Sequence, residues 1–244
     1  MRIDILTLFP EMFSGVISSS IISRAIDKGI IEVKVHDFRE FSKKPNKRVD
    51  DYSYGGGAGM IIEVQPVLDC LRSIEGYKEA HKILTTPVAE TYSQKKAFNL
   101  SKKEHIIIIC GHYEGIDSRI LNFVDEVASI GDYILTGGEL AAMVIFDSVV
   151  RLLPNVLGNS LSIEEESFSQ NLLEFPQYTR PVTFENMDVP EVLVSGNHEN
   201  IRKWRRYKSL EATYKYRKDL LEKATLTKED LLLLKEIEGE NNEK

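Results

Sequence analysis

Three glycine-bearing segments hold the residue types best suited to chemistry: Tyr54-Gly-Gly-Gly-Ala-Gly-Met60, Gly111-His-Tyr-Glu-Gly115 and Ile130-Gly-Asp-Tyr-Ile-Leu-Thr-Gly-Gly138. Glycine at the carboxyl end of a parallel strand lets backbone N–H groups approach a ligand closely, and open α/β sheets bind ligands along that edge. The second segment follows the apolar run His105 to Cys110, and the third leads into a long apolar stretch. None fits G-x-G-x-x-G or G-x-x-x-x-G-K-[ST], so neither a dinucleotide fingerprint nor a phosphate loop is indicated. Taken singly, each could be an ordinary turn; three in one domain point to a binding edge.

Charged side chains form a second set. Arg151 sits at the inner end of an otherwise apolar helix, Leu140 to Leu153, where it either serves a site or snorkels to the surface. Glu164-Glu165-Glu166 reads by default as a solvated run, and Asp117 with Arg119 as a helix cap and ion pair. The stretch Asn197-His-Glu-Asn-Ile-Arg-Lys-Trp-Arg-Arg-Tyr-Lys208 interleaves cations with the chain's single tryptophan, Trp204. That suits phosphate contacts with base stacking, or else a solvated helix face with the aromatic turned to the core. Cys70 and Cys110 belong to no C-x-x-C pair and read as buried thiols, and the histidines lack zinc spacing, so no protein-ligated metal is expected.

With 42% hydrophobic and 28% charged residues the chain can bury a proper core. The net charge of −7 argues against nucleic acid only if the charge is evenly spread, and it is not. Arg202, Lys203, Arg205, Arg206, Lys208, Lys215, Arg217 and Lys218 face a single acid, Glu211, within residues 202–218. Asp4 interrupts what would be a signal core, and no apolar run approaches a membrane span, so a soluble cytoplasmic protein without a membrane partner is expected.

The elements that must position these residues follow from periodicity. Strands are expected at 3–8, 31–37, 82–86, 105–110 and 125–129, and helices at 12–28, 65–74, 93–99, 116–122 and 138–153. Residues 39–59, basic and then glycine-rich, read as a long loop, and loops of that length are usually functional. The alternation makes 1–158 a parallel-sheet α/β domain. Residues 159–175 lose the rhythm and read as a linker, and 176–244 as a small, mostly helical domain with helices at 191–195, 199–210, 211–223 and 228–238. Thr227 and Asp230 have capping-box spacing, with Asp in place of the usual Glu or Gln.

Together the three glycine blocks, extended to Cys110–Asp117 and Ser129–Leu140, with Tyr178-Thr-Arg-Pro181 and Leu193-Val-Ser-Gly-Asn-His198, resemble the bacterial tRNA (guanine-N1)-methyltransferase family (the TrmD family, SPOUT class) from Met1 to about residue 235. The resemblance implies a SPOUT-type parallel sheet with a deep trefoil knot, and an obligate homodimer with the active site between subunits. Topology rules alone would have suggested an ordinary doubly wound sheet. It further implies S-adenosyl-L-methionine as methyl donor and N1 of the guanosine at tRNA position 37 as acceptor. Carried over, donor contacts fall on Thr85, Thr86, Pro87, Gly111, Tyr113, Gly115, Ile130, Gly131, Asp132, Tyr133, Ile134, Leu135, Gly137 and Gly138. The basic helical domain, with Asn197, His198, Arg202, Trp204, Arg205 and Arg206, would grip the anticodon arm.

The nucleobase dictates the rest. Guanine N1 is a poor nucleophile until its proton leaves, and its loss moves negative charge to O6, so a base near N1 and a cation or N–H near O6 are needed. Arg151 matches the family's arginine, and the family's aspartate base falls on Glu166, with Glu165 as the fallback. Glutamate keeps the carboxylate but reaches roughly 1.5 Å further. His112 replaces an arginine common in that block, and Ala141 stands where many members have proline. The family is associated with Mg²⁺ dependence, for which Glu114 is the candidate acid. Two rivals stay open: a ribose 2′-O-methyltransferase of the same class, and a non-catalytic RNA-binding protein.

Overall fold

The computed structural model of the chain describes residues 1–157, 166–168 and 170–242. It forms two compact units, Met1–Gly158 and Asn159–Lys244.

In the first unit, β1 (Arg2–Thr7) and β2 (Glu32–Asp37) lie side by side. A short antiparallel ribbon joins β3 (Asp50–Asp51) to β4 (Ile61–Ile62). The main sheet is completed by β5 (His81–Thr85), β6 (His105–Cys110) and β7 (Glu126–Ala128), in the order β2-β1-β6-β5-β7 with every pairing parallel. The central position of β6 explains its uninterrupted apolar sequence. Ile106, Ile108 and Cys110 enter the core on one face of the sheet, and Ile107 and Ile109 enter the core on the other. The first core is closed by Ala142, Ile145, Phe146 and Val149 of a helix at Glu139–Val150, the second by Val67, Cys70 and Leu71 of a helix at Val64–Ser73.

Three expectations for this unit are corrected. The helix expected at 12–28 is a 3-10 turn at Pro10–Phe13, then α1 (Ser14–Ile17) and α2 (Ser20–Asp27). The serines at 18–20 break it: Ser19 is extended and Ser20 has φ +57°. Serine hydroxyls compete for backbone hydrogen bonds, which weakens a helix interior. The loop at 39–59 is not structureless, since it contains 3-10 turns at Phe38–Phe41 and Pro45–Lys47 as well as β3. At 116–122 the chain forms a 3-10 helix, Ser118–Phe123, in place of an α-helix. The remaining helices of the unit are α3 (Val64–Ser73), α4 (Gln94–Leu100) and α5 (Glu139–Val150).

In the second unit, β8 (Thr183–Phe184) and β9 (Met187–Asp188) form a small ribbon. They precede α6 (Glu191–Val194), α7 (His198–Tyr216), α8 (Lys218–Leu221) and α9 (Lys228–Asn242). No helix break occurs at 210–211, where none of the residues is a breaker. The break comes at Arg217, which leaves helical geometry and pairs with Asp219. The capping box at Thr227 forms in both directions: Thr227 N–H donates to Asp230 Oδ2 (2.8 Å) and Asp230 N–H to Thr227 Oγ1 (3.1 Å). Residues 172 and 173, read as linker, are held by the helical core. Leu172 is buried there, and Leu173 N–H donates to Thr213 Oγ1 at 2.9 Å.

At the amino end of the main sheet Asp4 is fully buried and accepts from His36 Nε2 (2.6 Å), Arg2 Nε (2.7 Å) and His105 Nε2 (2.8 Å), which ties three adjacent strands together. Burial raises its pKa, but these hydrogen bonds outweigh burial and hold it at about 2, below the ordinary 3.8. The carboxylate therefore stabilises the fold above the ordinary value, and this contribution fades as pH falls from about 4 towards 2. Asp4→Asn should lose roughly 2 kcal/mol in urea unfolding at neutral pH, with the gap to wild type narrowing below pH 4. An equal gap at pH 3 and pH 7 would contradict this.

Candidate functional site

The carboxyl edge of the sheet gathers the glycine segments. Thr85 ends β5, Gly111 follows β6, and Ser129-Ile130 follow β7. Gly138 N–H donates to Gly111 O at 2.6 Å, and His112 pairs with Gly137 across an isolated bridge. A Cβ on Gly138 would fall on the Thr85 hydroxyl and 2.8 Å from Gly111 N. Only glycine admits so close an approach, and that brings the 130–138 loop down between the ends of β5 and β6.

Thr85 is buried and donates from Oγ1 to Ile109 O (3.2 Å), while Thr86 N–H donates to Ala128 O (3.0 Å), so both are tied to neighbouring strands. Pro87 is exposed beyond them. Around the mouth, Tyr113 (φ +54°), Asp132, Tyr133 and Ile134 are exposed, while Gly111, Gly115, Ile130, Gly131, Leu135 and Gly137 are half-buried. Tyr133 folds back on its own loop, its hydroxyl donating to Ile130 O at 3.3 Å. The edge thus exposes two aromatic rings and an apolar side chain beside closely packed glycine backbone.

Beneath this edge lies a pair that sequence patterns missed. Glu139, the first residue of α5, is buried and accepts from Thr7 Oγ1 at 2.8 Å. Its other oxygen is 3.7 Å from His112 Nδ1, which has no hydrogen-bond partner among the described residues. The His112 ring packs between Phe9 (4.8 Å) and Tyr113 (5.0 Å, edge-on). The available signal was a carboxylate directly after two glycines at the head of an apolar helix, where it also meets the positive helix end. Cys110 is fully buried, and burial pushes its thiol well above its usual pKa. Asp117 and Arg119 pair with each other at 2.5 Å, and Asp117 accepts from Arg119 N–H, which is the cap and ion pair expected.

Arg151 caps the carboxyl end of α5 and is half-buried. Glu166 belongs to the second unit, where it lines a groove of about 720 Å³ with Phe175, His198, Arg202, Arg205 and Arg206. Glu165 lies outside the described residues. Several of the second unit's polar residues have structural partners. Asn197 caps α7 by accepting from Asn200 N–H, Arg202 pairs with Glu199, and Arg206 holds buried Asp230 through Nε (2.7 Å) and a terminal nitrogen (2.8 Å). The Arg206 hydrogen bond, outweighing burial, lowers Asp230 to about 2. His198 is exposed, Arg205 lies 4.8 Å over the Phe175 ring, and Trp204 packs 6.3 Å from Tyr178. Among the described residues no three His, Cys, Asp or Glu side chains gather as a metal site.

The family described as tRNA (Guanine-1)-methyltransferase TrmD matches residues 1–223. The chain is similar to proteins named tRNA (guanine-N(1)-)-methyltransferase from several bacteria. It is 51% identical to that of Dictyoglomus turgidum over 243 residues, covering 100% of this chain and 99% of the relative. Identity is 55% to that of Geobacillus kaustophilus (98% and 99% covered) and 53% to that of Clostridium novyi (96% and 97% covered).

Because Gly138 touches both strand ends, Gly138→Ala should cost about 1–3 kcal/mol in denaturant unfolding. A variant as stable as wild type would contradict the tight crossing.

Proposed function

The chain belongs to the tRNA (guanine-1)-methyltransferase family, and on that premise we propose that it transfers a methyl group from S-adenosyl-L-methionine to N1 of guanosine 37 in tRNA. The single observation that carries this reading is the convergence of the 85–87, 111–115 and 130–138 segments on one sheet edge, closed by the Gly138–Gly111 contact. Exposed Tyr113, Tyr133 and Ile134, set around the glycines of the 111–115 and 130–138 segments, suit a donor with a sulfonium, a ribose and a flat base. Bound there, the donor supplies an electrophilic methyl group. Thr85, Thr86, Pro87, Gly111, Tyr113, Gly115, Ile130 through Leu135, Gly137 and Gly138 would hold it.

The trefoil knot that the family implies for the first unit belongs to this reading, with residues 137–138 set against the ends of β5 and β6. Leu140 and Val144 leave an apolar face of α5 exposed, and Met12 shares a small hollow with Leu140. An exposed apolar helix face of this kind supports a homodimer. In that dimer Arg151 of one subunit would act with Glu166 of the partner subunit. Glu166 would take the proton from guanine N1 while Arg151 stabilises the negative charge this moves onto O6. The N1 lone pair would then attack the methyl carbon as its bond to sulfur breaks, with S-adenosyl-L-homocysteine leaving. His198, Arg202, Lys203 and Arg205 along the groove of the second unit would meet the phosphates of the anticodon arm. Domains at 1–158 and 176–244 fit this division of labour, with the end of the 159–175 linker, at Leu172 and Leu173, packed into the helical core of the second.

A tRNA substrate argues for a cytoplasmic location, and no helix among the described residues is long and apolar enough to cross a membrane. Mg²⁺ fits less well. Glu114, the acid proposed for it, lies against Gly59 and belongs to no cluster of three or more His, Cys, Asp or Glu side chains among the described residues, and no step is routed through a metal.

Glu166→Ala should lower the single-turnover rate about 10²- to 10⁴-fold, and Arg151→Ala about 10²- to 10³-fold, both with calorimetric donor affinity unchanged. Full activity in Glu166→Ala would remove the proposed base.

A further inference from the structure

The glycine-rich segment between β3 and β4 is assigned no role in the reading above, yet it presents the most exposed aromatic side chains of the first unit. Tyr54 is fully exposed at 105% and Tyr52 is 77% exposed. A free tyrosine ring in water forgoes the burial that an aromatic normally gains, so two of them three positions or fewer apart signal a partner.

The backbone holds this pair beside the binding edge. Glu114 N–H donates to Met60 O (3.1 Å), Ile62 N–H to Gly115 O (2.9 Å) and Asp117 N–H to Ile62 O (2.9 Å), so the segment is stitched to the 111–117 loop. Gly55, Gly56, Gly57 and Gly59 all have φ between +81° and +125°, and a Cβ at Gly55 or Gly56 would meet nothing within 4 Å. The loop therefore stands open, with its fold set by glycine conformations and not by packing.

Charge decides what kind of partner fits. The neighbouring cations look at first like phosphate ligands, but each is engaged by an acid. Lys43 pairs with Asp69, Lys44 with Asp51 and Glu63, Lys47 with Glu40, Arg48 with Asp50, and Arg119 with Asp117. Five cations against six acids leave this part of the surface without net positive charge to hold a polyanion's backbone. What the surface offers is flat π-faces, which suit unpaired bases.

On the reading of function given above, we propose that Tyr52 and Tyr54 form a stacking platform for unpaired bases flanking the target guanosine, so that the first unit reads substrate through base faces and not through phosphates. Stacking on an aromatic is sequence-tolerant and independent of phosphate neutralisation, so its loss weakens RNA binding without altering the salt dependence.

The test uses the full-length protein and a tRNA carrying 2-aminopurine on either side of the target guanosine. Wild type should quench the probe on binding. Tyr54→Ala and Tyr52→Ala should each reduce the quench and raise the KM for tRNA about tenfold, with donor affinity and the slope of log K against log salt unchanged. Tyr54→Phe should behave as wild type. An unchanged quench and KM in both alanine variants, or a Tyr54→Phe as impaired as Tyr54→Ala, would overturn the platform. So would a shift of either alanine variant towards monomer in sedimentation, which would assign the rings to a protein interface. Absence of methyl transfer to tRNA by the wild type would instead strike the underlying reading, while the quench would still report on stacking.

Discussion

Gly138 N–H meets Gly111 O at 2.6 Å, with Thr85 on the other side and no room for a Cβ between them. Most of the binding edge follows from this contact. It holds the end of the 130–138 loop against the ends of β5 and β6 and sets where α5 begins. It also brings Glu139 inside, where a carboxylate is costly unless paired: Thr7 Oγ1 donates to one of its oxygens, and His112 Nδ1 stands 3.7 Å from the other, beyond a hydrogen bond. The floor of the edge is thus rigid, built from β1, β6 and α5, while the rings of Tyr113 and Tyr133 remain exposed at its rim. A preorganised floor with an adaptable rim lowers the ordering cost of binding a flexible ligand.

Electrostatics divide along the same lines. In the first unit, charge is largely consumed internally. Asp4 gathers three partners from three strands, and the cations at 43, 44, 47 and 48 are matched with acids. In the second unit some cations are also consumed, Arg206 by Asp230 most completely and Arg202 with Lys203 by the single acid Glu199, but these last two, His198 and Arg205 still line one groove with an excess of positive charge. This reconciles a net charge of −7 with a nucleic-acid substrate, because the sum over the chain averages surfaces with different tasks.

Periodicity made the parallel strands legible because burial dictates it directly: β6, apolar on both faces, could sit only at the centre of the sheet. The break at Ser18–Ser20 escaped because the apolar spacing continues through it, while serine hydrogen bonding acts on the backbone. Residues 38–51 escaped for the opposite reason, since turns and two-residue strands carry no period to read. Among site residues, the glycines after β6 and before α5 were visible from their places at element ends. The burial of Glu139 and the engagement of Arg206 were not, for both depend on partners far away in sequence, Thr7 and Asp230. Resemblance supplied what spacing could not, namely the roles proposed for Arg151 and Glu166.

The central claim is that this edge holds a methyl donor whose methyl group goes to a guanine ring nitrogen. Purified protein, S-adenosyl-L-methionine and unmodified tRNA, followed by nuclease digestion and mass spectrometry of the products, addresses it most directly. The account predicts one added methyl on the base of the guanosine at position 37, with the fragmentation of 1-methylguanine. A methyl group found on a ribose would contradict it.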